Sequence, residues 1–276
     1  SSRSAVSRSS LTFLANLVGV SGHLHRWSDS LLVDTGCVYC DCLLVDAIDL
    51  DRLRAEGPAG SLDEAVSRQR TRDHVPSRAF LDRPFPPNLP VVECCRRCNN
   101  GFSLDEQYLA CLLECVVCGG VEPEFFERER VARMLQDSAT LRERLASARR
   151  SFDGGTAWEM ESERVSHVVV KLARGHAAFE HQRHYPAPDS ISITPLVSMS
   201  EDERIRFESG GSGTRLLPEV GSRALTRAAL TAGTSGWEDV QPGRYRYAST
   251  IYADGFSVRL VIREYLACEA WWNEPG

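Results

Sequence analysis

The hydrophobic pattern changes period along the chain, and each change predicts an element. Ser1–Ser10 is small, polar and Ser-rich and reads as disordered, while Leu11–Val20 reads as a short helix. Ile48–Arg54 predicts a helix that Gly57-Pro58-Ala59-Gly60 breaks. Thr71–Ser77 and Leu89–Glu93 read as short strands, and Pro84, Pro86, Pro87 and Pro90 predict a loop between them. Tyr108–Cys118 predicts a helix ended by Gly119-Gly120, with Ser103 and Glu106 spaced as a capping box at its start. Arg128–Arg150 is highly charged but keeps an apolar seam at Val131, Leu135, Leu141 and Leu145, so a helix closed by Asp153-Gly154-Gly155 is expected. Val165, Val168, Val169, Leu172 and Phe179 recur at helical spacing. Ile191–Val197 reads as a strand. Tyr245–Tyr252 and Phe256–Ile262 flank Asp254-Gly255 and read as a β-hairpin, with Phe256, Val258, Leu260 and Ile262 alternating with Ser257, Arg259 and Arg263.

This succession predicts an α+β protein in three regions: residues 1–120, a helical connector at 121–164, and a C-terminal α+β domain at 165–276. The C-terminal region is expected to bind a protein partner or shape specificity. Trp271-Trp272 reads as edge packing rather than a base-stacking platform.

Composition narrows the class. Hydrophobic residues make up 42% and charged residues 25%, the balance of a globular domain. No apolar run approaches the ~20 residues of a membrane helix, so no membrane partner is expected. Thr12–Val20 could pass for a signal-peptide core, but paired C-x-x-C elements suit a reducing compartment, and a cytoplasmic location is expected. The net charge of -6 argues against a bulk nucleic-acid binder. Locally the balance reverses: between Ser67 and Phe102 seven arginines face three acids. Lys171, the only lysine, reads as a consequence of base composition.

Ten cysteines change the picture more than charge does. Cys37/Cys40 and Cys95/Cys98 form C-x-x-C pairs, each turning two thiolates toward one point, and two such pairs complete a tetrahedron about Zn²⁺. Cys42 and Cys94 are adjacent alternates. Cys111, Cys115 and Cys118 fall on one helical face and read as core, as does Cys268. His23, His25, His167, His176, His181 and His184 read as surface or satisfied histidines.

Between the pairs lie Asp73-His74 and Asn88, and Asn99 follows Cys98 directly. In this order the sequence resembles the HNH family of ββα-metal (His-Me finger) endonucleases. The likeness covers about a quarter of the chain, roughly Gly36 to Gln107. The stretches DHVPSRAF, CNNGFSLDE and QPGRYRY…REYLACE also look like those of bacterial HNH proteins. The resemblance implies a zinc-braced ββα-metal finger in the N-terminal half and cleavage of nucleic acid, DNA ahead of RNA. His74 would be the general base, Asn88 a brace for its loop, and Asp73 and Asn99 the ligands of Mg²⁺ or Mn²⁺. Hydrolysis needs a base that is neutral near pH 7 and a hard cation on oxygen ligands, which suits these residue types. Four thiolates leave no open position, so the zinc would be structural. The chain departs from the pattern at Phe102, where many relatives carry a basic residue, and Asp105 and Glu106 are spare carboxylates. An RNA-directed nuclease or toxin effector, and a non-catalytic zinc scaffold, are the competing readings.

Overall fold

The computed structural model describes residues 36–56, 61–210 and 236–273, all within one compact unit that spans residues 35–276. The expected helix at Leu11–Val20, the Ser-rich start, His23, His25 and the Gly57–Gly60 breaker lie outside the described residues.

Two short helices, α1 (Ala47–Glu56) and α2 (Ser61–Ser67), lead into a hairpin of β1 (Arg70–His74) and β2 (Val91–Cys95). β1 and β2 pair antiparallel from Arg70↔Cys95 to His74↔Val91. β1 stops three residues short of the expected strand, because Pro76 carries no N–H to continue the ladder. α3 (Arg96–Gly101) and α4 (Ser103–Cys118) follow β2 without a loop, and Gly119 ends α4 in the left-handed region (φ 74°).

The helix expected over Arg128–Arg150 is two: α5 (Glu129–Gln136) and α6 (Ala139–Ala148). Ser138 caps α6 by accepting from the Leu141 N–H at 3.3 Å. The seam residues Val131, Leu135, Leu141 and Leu145 are all buried as expected. Asp153-Gly154 does not close a helix; it is the turn between β3 (Arg149–Phe152) and β4 (Gly155–Trp158). The capping box expected at Ser103 and Glu106 is absent. The Ser103 hydroxyl donates to the Asn100 carbonyl at 2.8 Å, and Glu106 turns into the interior.

α7 (Ser162–His181) is the spine of the unit, and the region border expected at 164/165 falls within it. Val165, Val168, Val169 and Leu172 pack it against the C-terminal sheet and α4 in one core. The sheet order is β5 (Ser190–Pro195), β9 (Leu266–Asn273), β8 (Gly255–Ile262), β7 (Tyr245–Tyr252), β6 (Glu238–Gln241), antiparallel throughout. The β7–β8 hairpin is where the Asp-Gly turn puts it. The polar positions Ser257 and Arg259 are nonetheless buried, because α8 (Glu201–Ser209) covers the second face. Arg259 donates to the Phe207 carbonyl and to Thr250 Oγ1. Among the described residues, no helix is long and apolar enough to cross a membrane.

Two of the histidines are structural. His176 is fully buried, its ring 3.7 Å from that of Tyr247 and its Nε2 2.9 Å from the Tyr245 hydroxyl. His181 sits between the Tyr185 and Ser249 hydroxyls, and burial, helped by Arg183, lowers its pKa to about 4. An unfolded histidine titrates near ~6.5. Between those values the unfolded chain binds a proton that the folded chain refuses, so this contribution is complete above pH 6.5 and is lost as pH falls toward 4. The wild type is expected to lose on the order of 1–2 kcal/mol more than His181→Gln between pH 7 and pH 5. Parallel urea midpoints for the two proteins across that range would remove the assignment.

Candidate functional site

The first C-x-x-C sits in a tight loop closed by a bridge between Gly36 and Leu43 and by the Cys37 N–H donating to the Cys42 carbonyl at 2.9 Å. The Tyr39 N–H donates to Cys37 Sγ at 3.4 Å. The Cys98 N–H makes the same 3.4 Å bond to Cys95 Sγ at the junction of β2 and α3. Two knuckles of like geometry therefore face each other. The Sγ atoms of Cys37, Cys40, Cys42 and Cys95 all lie within 4.8 Å of one another, and Cys40 Sγ stands 3.8 Å from Cys95 Sγ. Bonds of ~2.3 Å to one tetrahedral ion impose a sulfur spacing of about 3.8 Å, so this cluster is able to hold a metal.

Cys98 touches the cluster through Cys37, and five thiols therefore converge. The Cys98 thiol donating to Cys37 holds the Cys37 pKa down to about 4 against burial, and pushes that of Cys98 up. Cys94 turns the other way, to Thr71 Oγ1 at 3.3 Å, and burial pushes its thiol up to about 12. Of the two alternates beside the pairs, Cys42 joins the cluster and Cys94 does not.

Asp73 and His74 adjoin on β1 and face opposite ways, as alternation on a strand requires. Asp73 points inward and is 8% exposed. Its Oδ2 accepts from the Tyr39 hydroxyl at 2.7 Å and pairs with Lys171 Nζ at 2.7 Å. Lys171, from the middle of α7, is 2% exposed and also pairs with Glu106, whose Oε2 accepts from the Ser77 hydroxyl at 2.9 Å. Burial opposes the ammonium charge, but Asp73 and Glu106 outweigh it and raise the Lys171 pKa. Phe102 lies 5.4 Å from Nζ and meets Tyr39 edge-on at 5.1 Å, so the departure from a basic residue there covers the lysine with an aromatic ring. α7 comes this close because Gly175 has no side chain: a Cβ would stand 2.7 Å from Val75 Cγ2.

His74 is half-buried at the open end of β1 and makes no hydrogen bond to a described residue. Burial first, then Arg78 and Lys171, lower its pKa against the pull of Asp73, so the imidazole is neutral at pH 7. Asn99 donates from Nδ2 to Thr71 Oγ1 at 3.2 Å and to the Arg72 carbonyl at 3.4 Å, tying α3 to β1. Asn88 is exposed in the turn before β2 and makes no hydrogen bond to a described residue. The fold therefore brings Asp73, His74 and Asn99 to one strand, with Asn88 in the turn that leads into its partner strand. A divalent cation beside Asp73 would meet the Lys171 ammonium, which already stands 2.7 Å from Oδ2 and fills the cation's place next to the carboxylate. As placed, Asp73 does not fit a cation site.

Tyr39 was not singled out from the sequence, while Glu106 reads there as a capping residue or spare carboxylate and Lys171 as a consequence of base composition, not as partners at one site. The one available signal was the single lysine in a chain that otherwise uses arginine. No family model, no curated protein and no solved structure matches the chain.

Proposed function

We propose that this chain is a zinc-braced nuclease of the HNH type that hydrolyses phosphodiester bonds in nucleic acid, with His74 as the general base. The observation that carries this reading is the position of His74: a neutral, unbonded imidazole at the open end of a hairpin that runs straight into a helix, with thiols of one cluster at the β2–α3 junction. The zinc is held by Cys37, Cys40 and Cys95, with Cys42 or Cys98 as the fourth ligand. In the step itself, the imidazole nitrogen takes a proton from water, the water oxygen bonds to phosphorus, the P–O3′ bond breaks, and the departing oxygen takes a proton from solvent. Arginines supply the charge that meets the phosphate, and no step runs through a divalent cation. DNA stands ahead of RNA as the substrate.

The Lys171–Asp73 pair favours a second reading, a zinc scaffold that binds nucleic acid without cutting it. One experiment separates the two. Plasmid DNA and structured RNA are incubated with wild type and His74→Ala, with and without Mg²⁺ or Mn²⁺. Cleavage by wild type, reduced about 100-fold or more in His74→Ala, is expected. No cleavage under any condition leaves the scaffold reading, and equal cleavage by both proteins moves the base away from His74.

A further inference from the structure

Three guanidiniums on one surface beside His74 have no acidic partner among the described residues: Arg78, Arg83 and Arg130. Arg78 and Arg83 approach the same ring, 5.1 Å and 5.7 Å from the centroid of Phe85 in the connection between β1 and β2. Arg130, in the first turn of α5, donates from Nη1 to the Arg78 carbonyl at 3.1 Å. All three are exposed.

Most acids nearby are spent elsewhere. Asp82 pairs with the buried Arg128 at 2.6 Å and with Arg244 at 2.6 Å, Glu127 with Arg244 at 3.2 Å, and Glu129 with Arg133 at 3.1 Å. Asp137 lines a groove bordered by Arg83 and Arg130 and makes no ion pair among the described residues, so the three guanidiniums keep a surplus of about two although the whole chain is acidic. Burial and the like charges of Arg128, Arg83 and Arg78 lower the pKa of Arg130 against the pull of Glu106. Arg83 and Arg130, though not Arg78, border this open groove of about 550 Å³, whose lining also carries Arg128, Asp82, Glu127, Glu129 and Asp137. Arg78 also acts electrostatically on His74, so the surface reaches the imidazole.

Like charges gathered at this density cost stability unless a polyanion meets them. We infer that Arg78, Arg83 and Arg130 form a phosphate-binding track that holds the backbone of a nucleic acid on one side of His74. The track is shared between the β1–β2 connection and α5, so part of it lies outside the segment that resembles a nuclease finger. It rests on the nucleic-acid reading of the previous section and deepens it. The contacts go to phosphates, so the track fixes where the strand lies and carries no sequence preference.

The test measures binding, not cutting. Fluorescence anisotropy of a labelled 20-base-pair DNA duplex is followed against His74→Ala, with and without Arg83→Gln/Arg130→Gln, from low to moderate salt. Two lost phosphate contacts are expected to weaken binding about 10-fold or more at low salt and to flatten the log K against log salt slope by about 2. Arg83→Lys/Arg130→Lys should restore most of the affinity. Arg149→Gln/Arg150→Gln, which removes the same charge from the exposed β3, should leave it unchanged. Equal loss from both neutralised pairs reduces the effect to net charge and overturns the track. Unchanged affinity in the Arg83/Arg130 pair overturns it too, while leaving the nuclease reading intact. Arginine-dependent binding without cleavage by wild type keeps the track and sinks the nuclease. Binding to neither DNA nor RNA sinks both.

Discussion

Lys171→Met is expected to destabilise the protein by about 3–5 kcal/mol, the usual result of breaking a buried ion pair from one side. The ammonium is 2% exposed and is shared by Asp73 and Glu106, so methionine leaves two carboxylates in the interior with no cation between them. The Tyr39 and Ser77 hydroxyls still donate to those carboxylates, but a hydroxyl does not offset a whole charge. At a urea slope of about 2–3 kcal/mol/M the midpoint should fall by about 1–2 M. The ammonium also lies over the Phe102 and Tyr39 rings, 5.4 Å and 5.9 Å from their centroids, and methionine keeps most of the side-chain volume, so the loss reports charge rather than a cavity. Lys171→Met/Asp73→Asn/Glu106→Gln, which removes all three charges, should recover most of the loss. A second readout follows from the two carboxylates. Once the ammonium is gone they face one another across a space that a hard cation can fill, so Mn²⁺ should raise the midpoint of Lys171→Met and leave that of the wild type unchanged. A loss under about 1 kcal/mol, or a wild type that Mn²⁺ stabilises through Asp73, would show that Lys171 is not the resident cation of this site.

The same residue marks the limit of what was legible in the sequence. Local signals held where local forces decide. The Val131–Leu145 seam, the Asp254-Gly255 turn and the Gly119 stop are set by residues within a few positions of each other, and the structure forms each of them. The C-x-x-C pairs were legible because a knuckle is a local turn. The signals failed where a partner far along the chain outbids a local one. Glu106 has capping-box spacing, but a carboxylate gains more from a buried ammonium than from an exposed backbone N–H, and Lys171 is 65 residues away. Arg259 reads as the outer position of a strand, yet α8 and Trp237 cover it and the Phe207 carbonyl accepts from it. Asp73 reads as a metal ligand in the resembling motif. It is α7, with Gly175 opening its approach, that delivers a lysine to it. No window of ten residues contains that information.

Cys95→Ser is expected to have the largest effect of any single substitution, because every grouping of the thiols includes Cys95. It closes β2, caps α3 through the Cys98 N–H, and lies 3.8 Å from Cys40 Sγ. Structural zinc contributes an apparent ~10–16 kcal/mol in isolated finger peptides. Here the cluster is embedded in a larger unit, and only the part of that energy that ties the Cys37–Cys42 loop and α3 to the hairpin is lost. Even ~5 kcal/mol of it lowers the melting temperature of a unit this size by roughly 10–20 °C. The expected result is about one zinc per wild-type chain by elemental analysis, none in Cys95→Ser, and a melting temperature that a chelator lowers in wild type alone. Two further substitutions settle the fourth ligand. Cys42 lies within 4.8 Å of the other three sulfurs, while Cys98 bonds to Cys37 and stands on the facing knuckle. If Cys42 is the ligand, Cys42→Ser loses zinc and Cys98→Ser keeps it; if Cys98 is, the two results exchange. Cys94→Ser should keep zinc either way, since its thiol turns to Thr71 on the far side of β2. A wild-type chain that purifies folded and metal-free, with all five thiols open to a thiol reagent and no response to chelator, would overturn the metal centre. It would also leave the hairpin without the brace on which the placement of His74 depends.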